Sequence, residues 1–300
     1  MSISSKPGLQ PLRGVKVLSL CLNLPGPAAL MRVRAMGARC VKIEPSANAT
    51  SPGDPMQQYC PGLYLAMHRG IEVLHADLKS PPGQDRLTQE LAQADVLLTS
   101  FRPSALGRLG LAWDDLCTAY PRLCMVSIVG EHGPAAEHPG HDLTYLAQSG
   151  LVPDFSLPAT LFADMAGSIL ASEAILQVVL NRHVTGKAQA LTIALADAAK
   201  LLALPHHWNL TGEGSVLGGQ HAGYRIYRCA DGRVAVAALE PHFSRALCEA
   251  SKIRMTDLSQ MLTQSVHRQL ELYFQEKSCA QIKRWASRRD IPLWVMPNAP

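Results

Sequence analysis

A strand–helix–strand unit near the start of the chain most constrains its fold. Gly14-Val15-Lys16-Val17-Leu18-Ser19-Leu20 is a short apolar run of the kind that makes a buried strand. Leu24-Pro25-Gly26-Pro27 reads as a turn, residues 28–36 as a helix closed at Gly37, and Arg39-Cys40-Val41-Lys42-Ile43-Glu44 as a second strand. A helix between two strands favours a parallel pair with a right-handed crossover. The alternation recurs, with helices over 83–92 and 114–119 and strands over 95–99 and 123–129. The expectation is an open α/β sheet that binds its ligand beyond the carboxyl ends of the strands. No G-x-G-x-x-G follows the first strand, which argues against a nicotinamide cofactor.

Residues 168–181 and 191–204 read as further helices. Residues 210–223 are rich in Gly and polar side chains and read as a linker or mobile loop. Beyond them, strands 225–229 and 233–237 flank Ala230-Asp231-Gly232, a hairpin signature with an Asp-Gly turn. Helices follow near 243–251 and 266–285. The organisation expected is a large domain over 1–205, a linker over 206–222 and a small α+β domain over 223–300.

Composition narrows the class. With 47% hydrophobic and 17% charged residues, the chain has the makings of a folded protein, not a disordered one. The net charge of +4 is mild and its cations are scattered, so no nucleic-acid groove is expected. Residues 1–10 are polar and lack the apolar core of a signal peptide, and no apolar run suggests a bilayer span. A cytoplasmic protein with no membrane partner is expected. The eight cysteines include no C-x-x-C pair, which predicts buried free thiols and no metal site.

Three short segments carry chemistry: Gly140-His141-Asp142-Leu143-Thr144-Tyr145, Ala163-Asp164-Met165-Ala166-Gly167 and Ala238-Leu239-Glu240-Pro241-His242-Phe243. They supply an imidazole at a helix start, a carboxylate at the start of an apolar run, and a second carboxylate able to hold the imidazole. Two groups with different reference pKa values can exchange a proton with one carbon from opposite faces. A helix beginning near Asp142 would offer backbone N–H groups and a positive dipole end to a nearby negative charge. Plainer readings stand beside these. His141 also suits a cap or solvated position, Asp164 an N-cap, and Glu240 a strand end with an outward ion pair.

The chain resembles the family III CoA-transferase superfamily, in its α-methylacyl-CoA racemase-like branch. The matching segments include Pro11-Leu12-Arg13-Gly14-Val15-Lys16-Val17-Leu18, Val41-Lys42-Ile43-Glu44, Asp77-Leu78-Lys79-Ser80, Phe101-Arg102-Pro103, Arg108-Leu109-Gly110-Leu111 and Thr185-Gly186-Lys187. Gly140-His141-Asp142 and Leu239-Glu240-Pro241-His242-Phe243 place it on the racemase side. The resemblance implies a Rossmann-like large domain and a homodimer of interlocked chains. The active site would lie between one chain's large domain and the other's small domain. His141 and Asp164 would be the acid/base pair, with Glu240 supporting His141 from the partner chain. Arg102, Arg108, Asp142 and Tyr224 would contact the thioester, the two arginines at CoA phosphates and Tyr224 at the rim. No prosthetic group is implied; a CoA thioester carries the acyl group.

Some positions depart from the family pattern. Pro45 stands where an arginine facing the nucleotide is common, and His68-Arg69-Gly70-Ile71 lacks a lysine at its last position. The expected long return segment after residue 295 is absent. Weaker retention of the CoA nucleotide, or an acyl group on another phosphopantetheine carrier such as an acyl carrier protein, would follow. The leading expectation is an acyl-thioester epimerase. A CoA-transferase with an aspartyl anhydride at Asp164 and a non-catalytic binding relative are the alternatives.

Overall fold

Val17 and Leu18 are both fully buried, so the first strand is covered on both faces, as in a parallel sheet. The computed structural model describes residues 8–46 and 53–298. The polar start read at residues 1–10 falls outside the described residues up to residue 7. In chain order the first elements are β1 (Lys16–Ser19), α1 (Pro25–Ala35), β2 (Arg39–Glu44), α2 (Pro55–Tyr59), α3 (Pro61–Met67) and β3 (Glu72–His75). There follow α4 (Pro81–Leu91), β4 (Val96–Thr99), α5 (Pro103–Arg108), α6 (Trp113–Ala119) and β5 (Cys124–Val129). Next come α7 (Asp142–Gln148), α8 (Phe162–Thr185), β6 (Ala190–Ala194) and α9 (Leu195–His207).

The strands form one six-stranded parallel sheet in the order β3-β2-β1-β4-β5-β6. The order reverses between β1 and β4. At such a switch point the two following loops part and leave a crevice at the carboxyl edge. One face is covered by α1 and α8, through Leu30, Val33, Ala171 and Ile175. The other is packed with Leu87 and Leu91 of α4, Leu106 of α5 and Leu116 of α6.

The chain divides into two compact units, Met1–Ala203 and Leu204–Pro300. The second contains β7 (Tyr224–Cys229), β8 (Gly232–Ala237), α10 (Pro241–Ala250), α11 (Gln264–Gln275), α12 (Cys279–Ser287) and β9 (Leu293–Pro297). Its three strands form an antiparallel sheet in the order β7-β8-β9 around a separate core that includes Tyr227, Leu270 and Phe274. Residues 206–222 belong to this unit. Ser215 caps a 3-10 turn over Val216–Gly218, and the Ala222 N–H donates to Met261 O at 2.8 Å.

Several expectations need correction. The helix expected over 191–204 begins with an edge strand, β6, paired to β5; only from Leu195 is the backbone helical. Its alanines and leucines suit either structure, and tertiary pairing decides. The helix expected over 266–285 is two helices. Ser278 starts α12 with a capping box, reciprocated by Gln281. Helix α8 starts at Phe162, not near 168, so Asp164 is its third residue and not its cap. At 24 residues this helix is long and apolar enough to cross a bilayer, against the expectation of no such run. Its inner face packs on α1 and β5 as the core helix of the first unit.

Candidate active site

His141 is the N-cap of α7. Its backbone N–H donates to Thr144 Oγ1 at 3.1 Å, and that hydroxyl donates to His141 O at 2.7 Å. The helix is only seven residues long, so its dipole is a small resource for charge stabilisation. Asp142, the first helical residue, is buried, and its Oδ1 accepts the Asp164 backbone N–H at 2.9 Å. An N–H in the first turn of a helix has no intrahelical acceptor. Asp142 of α7 therefore caps α8 and sets the position of Asp164. One oxygen of the Asp142 carboxylate, expected at the thioester, is thus engaged by α8.

Asp164 is half-buried. Burial, reinforced by the negative charge of Asp142, pushes its carboxyl up to about 7. A carboxylate at that value exchanges protons readily at neutral pH in both directions. Asp164 and His141 line one cleft of about 180 Å³ at the carboxyl edge of the sheet, together with Asn23, Ser100, Arg102 and Tyr145.

Tyr145 was not singled out as a functional residue by its sequence. It is buried, and its hydroxyl lies where a Cβ on either flanking glycine would fall: 2.3 Å from one built on Gly130 and 2.4 Å from one built on Gly140. Both positions need glycine for this close approach. Burial, and then the charge of Asp164, raise the Tyr145 phenol pKa. The phenol thus remains a neutral O–H donor beside the two candidate proton carriers. Its spacing was the available signal, because Tyr145 is four residues from His141 and lies one turn on along α7.

Arg108 does not line this cleft. It lines a second cavity of about 490 Å³ with Lys79, Pro45 and Phe101. Leu22 and Phe101 line both cavities, so the two adjoin along the carboxyl edge of the sheet. Arg102 stands at the cleft and Arg108 at the larger, mostly apolar chamber. Glu240 and Tyr224 lie in the second unit, Glu240 as the exposed N-cap of α10 and Tyr224 as the first residue of β7.

Beneath the crevice is a fully buried ionic cluster. Lys42 Nζ lies 2.6 Å from Glu44 Oε2, 2.5 Å from Asp54 Oδ2 and 3.0 Å from His68 Nε2. His68 Nδ1 donates to Tyr64 O at 2.7 Å, which leaves Nε2 to accept from the ammonium. Burial and the Lys42 charge lower the His68 pKa, keeping the ring neutral. Asp54 Oδ1 accepts the N–H of Asn23 at 3.0 Å, at a left-handed position of φ 65°. The cluster thereby fixes the β1–α1 loop that lines the cleft. Glu44, Asp54 and His68 have the composition of a metal triad. The Lys42 ammonium occupies the centre such an ion would take.

The family III CoA-transferase model matches residues 12–296. The chain belongs to that family, whose members are enzymes, both CoA-transferases and racemases, acting on acyl-CoA molecules. Among curated proteins, acetyl-CoA:oxalate CoA-transferase from Acetobacter aceti is 28% identical over 263 residues, covering 80% of this chain and 66% of that enzyme. Human α-methylacyl-CoA racemase is 28% identical over 270 residues, covering 84% of this chain and 68% of that enzyme. The chain thus spans about two thirds of the length of these relatives. A CaiB/BaiF family protein from Brucella suis shares the fold with a TM-score of 0.81 at 22% identity, over 97% of this chain and 85% of that one. A hypothetical protein from Mycobacterium tuberculosis gives 0.80 at 22% identity over 96% and 85%.

Proposed function

We propose that the protein epimerises acyl thioesters, of the 2-methylacyl-CoA kind, by moving the proton on the carbon next to the thioester carbonyl. The carrying observation is that Asp164, held by Asp142 and pushed up to about 7, shares one cleft with His141. One of the two removes the α-proton and leaves a planar enolate. The other protonates the opposite face, and the roles reverse for the opposite enantiomer. The Tyr145 hydroxyl donates to the enolate oxygen as charge develops there. Arg102 and Arg108 meet the phosphates of the CoA handle, whose nucleotide occupies the larger cavity.

A CoA-transferase reading assigns Asp164 as nucleophile in a mixed anhydride, as the identity to the oxalate enzyme invites. A nucleophilic carboxylate gains nothing from being half protonated at neutral pH, whereas a proton shuttle does. The proposal extends to a cytoplasmic homodimer in which Glu240 of a second copy orients His141. The test is incubation with one enantiomer of a 2-methylacyl-CoA, with hydroxylamine present in a parallel sample. Conversion to the other enantiomer without hydroxamate at Asp164 is expected. Hydroxamate formation at Asp164 without stereochemical inversion assigns the transferase mechanism instead.

A further inference from the structure

The second unit contains another triad of ligating side chains, and unlike the Lys42 cluster it has no cation at its centre. Cys229 is the last residue of β7, Asp231 lies in the β7–β8 turn, and Cys279 is the first residue of α12. Cys229 Sγ and Cys279 Sγ are 3.5 Å apart, and one ligand atom from each of the three residues lies within 4.8 Å of the others. Asp231 Oδ1 accepts the Cys279 backbone N–H at 2.6 Å, which fixes the carboxylate beside the two sulfurs. Both cysteines are buried. Asp231 makes no ion pair with a lysine or arginine among the described residues.

We propose that Cys229, Cys279 and Asp231 form a site for a thiophilic divalent cation of the zinc type. Four-coordinate zinc, with bonds to sulfur of about 2.3 Å, sets two thiolates roughly 3.8 Å apart. The observed separation of 3.5 Å is close to that spacing. A disulfide would require the sulfurs to close to about 2.05 Å. The two sulfurs and one carboxylate oxygen supply three ligands. Cys279 and Asp231 also line a cavity of about 580 Å³, which gives the ion a route in and leaves the fourth position open to water. Binding releases the two thiol protons to solvent and leaves one net negative charge on the three-ligand site. Lys283 lines the same cavity. The ion would tie the hairpin to the start of α12.

The test uses the full chain, reduced and stripped of metal, titrated with Cd²⁺ and with Co²⁺. One equivalent is expected to bind with a thiolate-to-metal charge-transfer band, and Zn²⁺ to displace Co²⁺ and raise Tm. Cys279→Ser is expected to abolish the band, and Cys117→Ser to leave it unchanged. Asp231→Asn keeps an acceptor for the Cys279 N–H, so it is expected to fold and to bind at least tenfold more weakly. Three results would overturn the proposal: no band at one equivalent in the wild type, a band that survives Cys279→Ser, or Asp231→Asn binding with unchanged affinity.

Discussion

The Asp142 carboxylate accepts the Asp164 backbone N–H at 2.9 Å, joining the first turn of α7 to the first turn of α8. Two consequences follow from one contact. The N–H of the candidate proton carrier is satisfied, and a negative charge is fixed near its carboxyl, adding to the effect of burial. Asp142→Asn keeps the acceptor and removes the charge. The acid limb of the kcat/KM profile for α-proton exchange is then expected to move below the wild-type position near 7. Asp142→Ala also loses the cap and is expected to cost about 1 kcal/mol in denaturant unfolding.

Asp164 bears on stability as well as on chemistry. Its carboxyl ordinarily titrates at 3.8 and is raised to about 7 in the fold, so the fold favours the protonated form. Between those values the native state binds more protons than the unfolded chain, and stability falls as pH rises. Asp164→Asn removes that penalty. Its Tm is expected to match wild type at pH 4 and to exceed it by several degrees at pH 8, while epimerisation falls by about 10² to 10⁴.

Tyr145→Phe deletes the proposed donor to the enolate oxygen and retains the buried ring. Removing one donor of this kind costs about 10² to 10³ in kcat. KM and Tm are expected to change little. Gly140→Ala places a methyl where the Tyr145 hydroxyl now lies and is expected to lower both kcat and Tm.

Lys42→Met leaves Glu44 and Asp54 buried without their cation. Breaking a buried ion pair from one side costs about 3–5 kcal/mol. The loss is expected in urea unfolding at neutral pH and to shrink on acidification, as the stranded carboxylates protonate. The cleft should loosen as well, because Asp54 holds the Asn23 loop.

The parallel sheet was legible because its strands are short, doubly buried apolar runs separated by helices with clear ends, as at Gly37. Edge strand β3, with Glu72 and His75 exposed, and half-exposed β6 carried no such signal, since pairing with a neighbour defines them. The Ser278/Gln281 capping box that divides α11 from α12 was present in the sequence but masked by the apolar period on either side. His141 and Asp164 were legible as residues able to carry protons, and the fold brings both to one cleft. The role of Asp142 and the aim of Tyr145 were not, because each depends on where α8 or a glycine backbone lies in space. The pairing of Cys229 with Cys279 spans 50 residues and leaves no local pattern at all.

The central claim is proton transfer at Asp164. Wild-type protein and Asp164→Asn are incubated with a 2-methylacyl-CoA in deuterium oxide, and the α-position is followed by proton NMR. Deuterium entering the α-position of each enantiomer with wild type, and failing to enter with Asp164→Asn for the enantiomer whose α-proton faces Asp164, is the predicted result. Equal incorporation by both proteins with both enantiomers, or none by wild type where substrate binding is demonstrated, would contradict it.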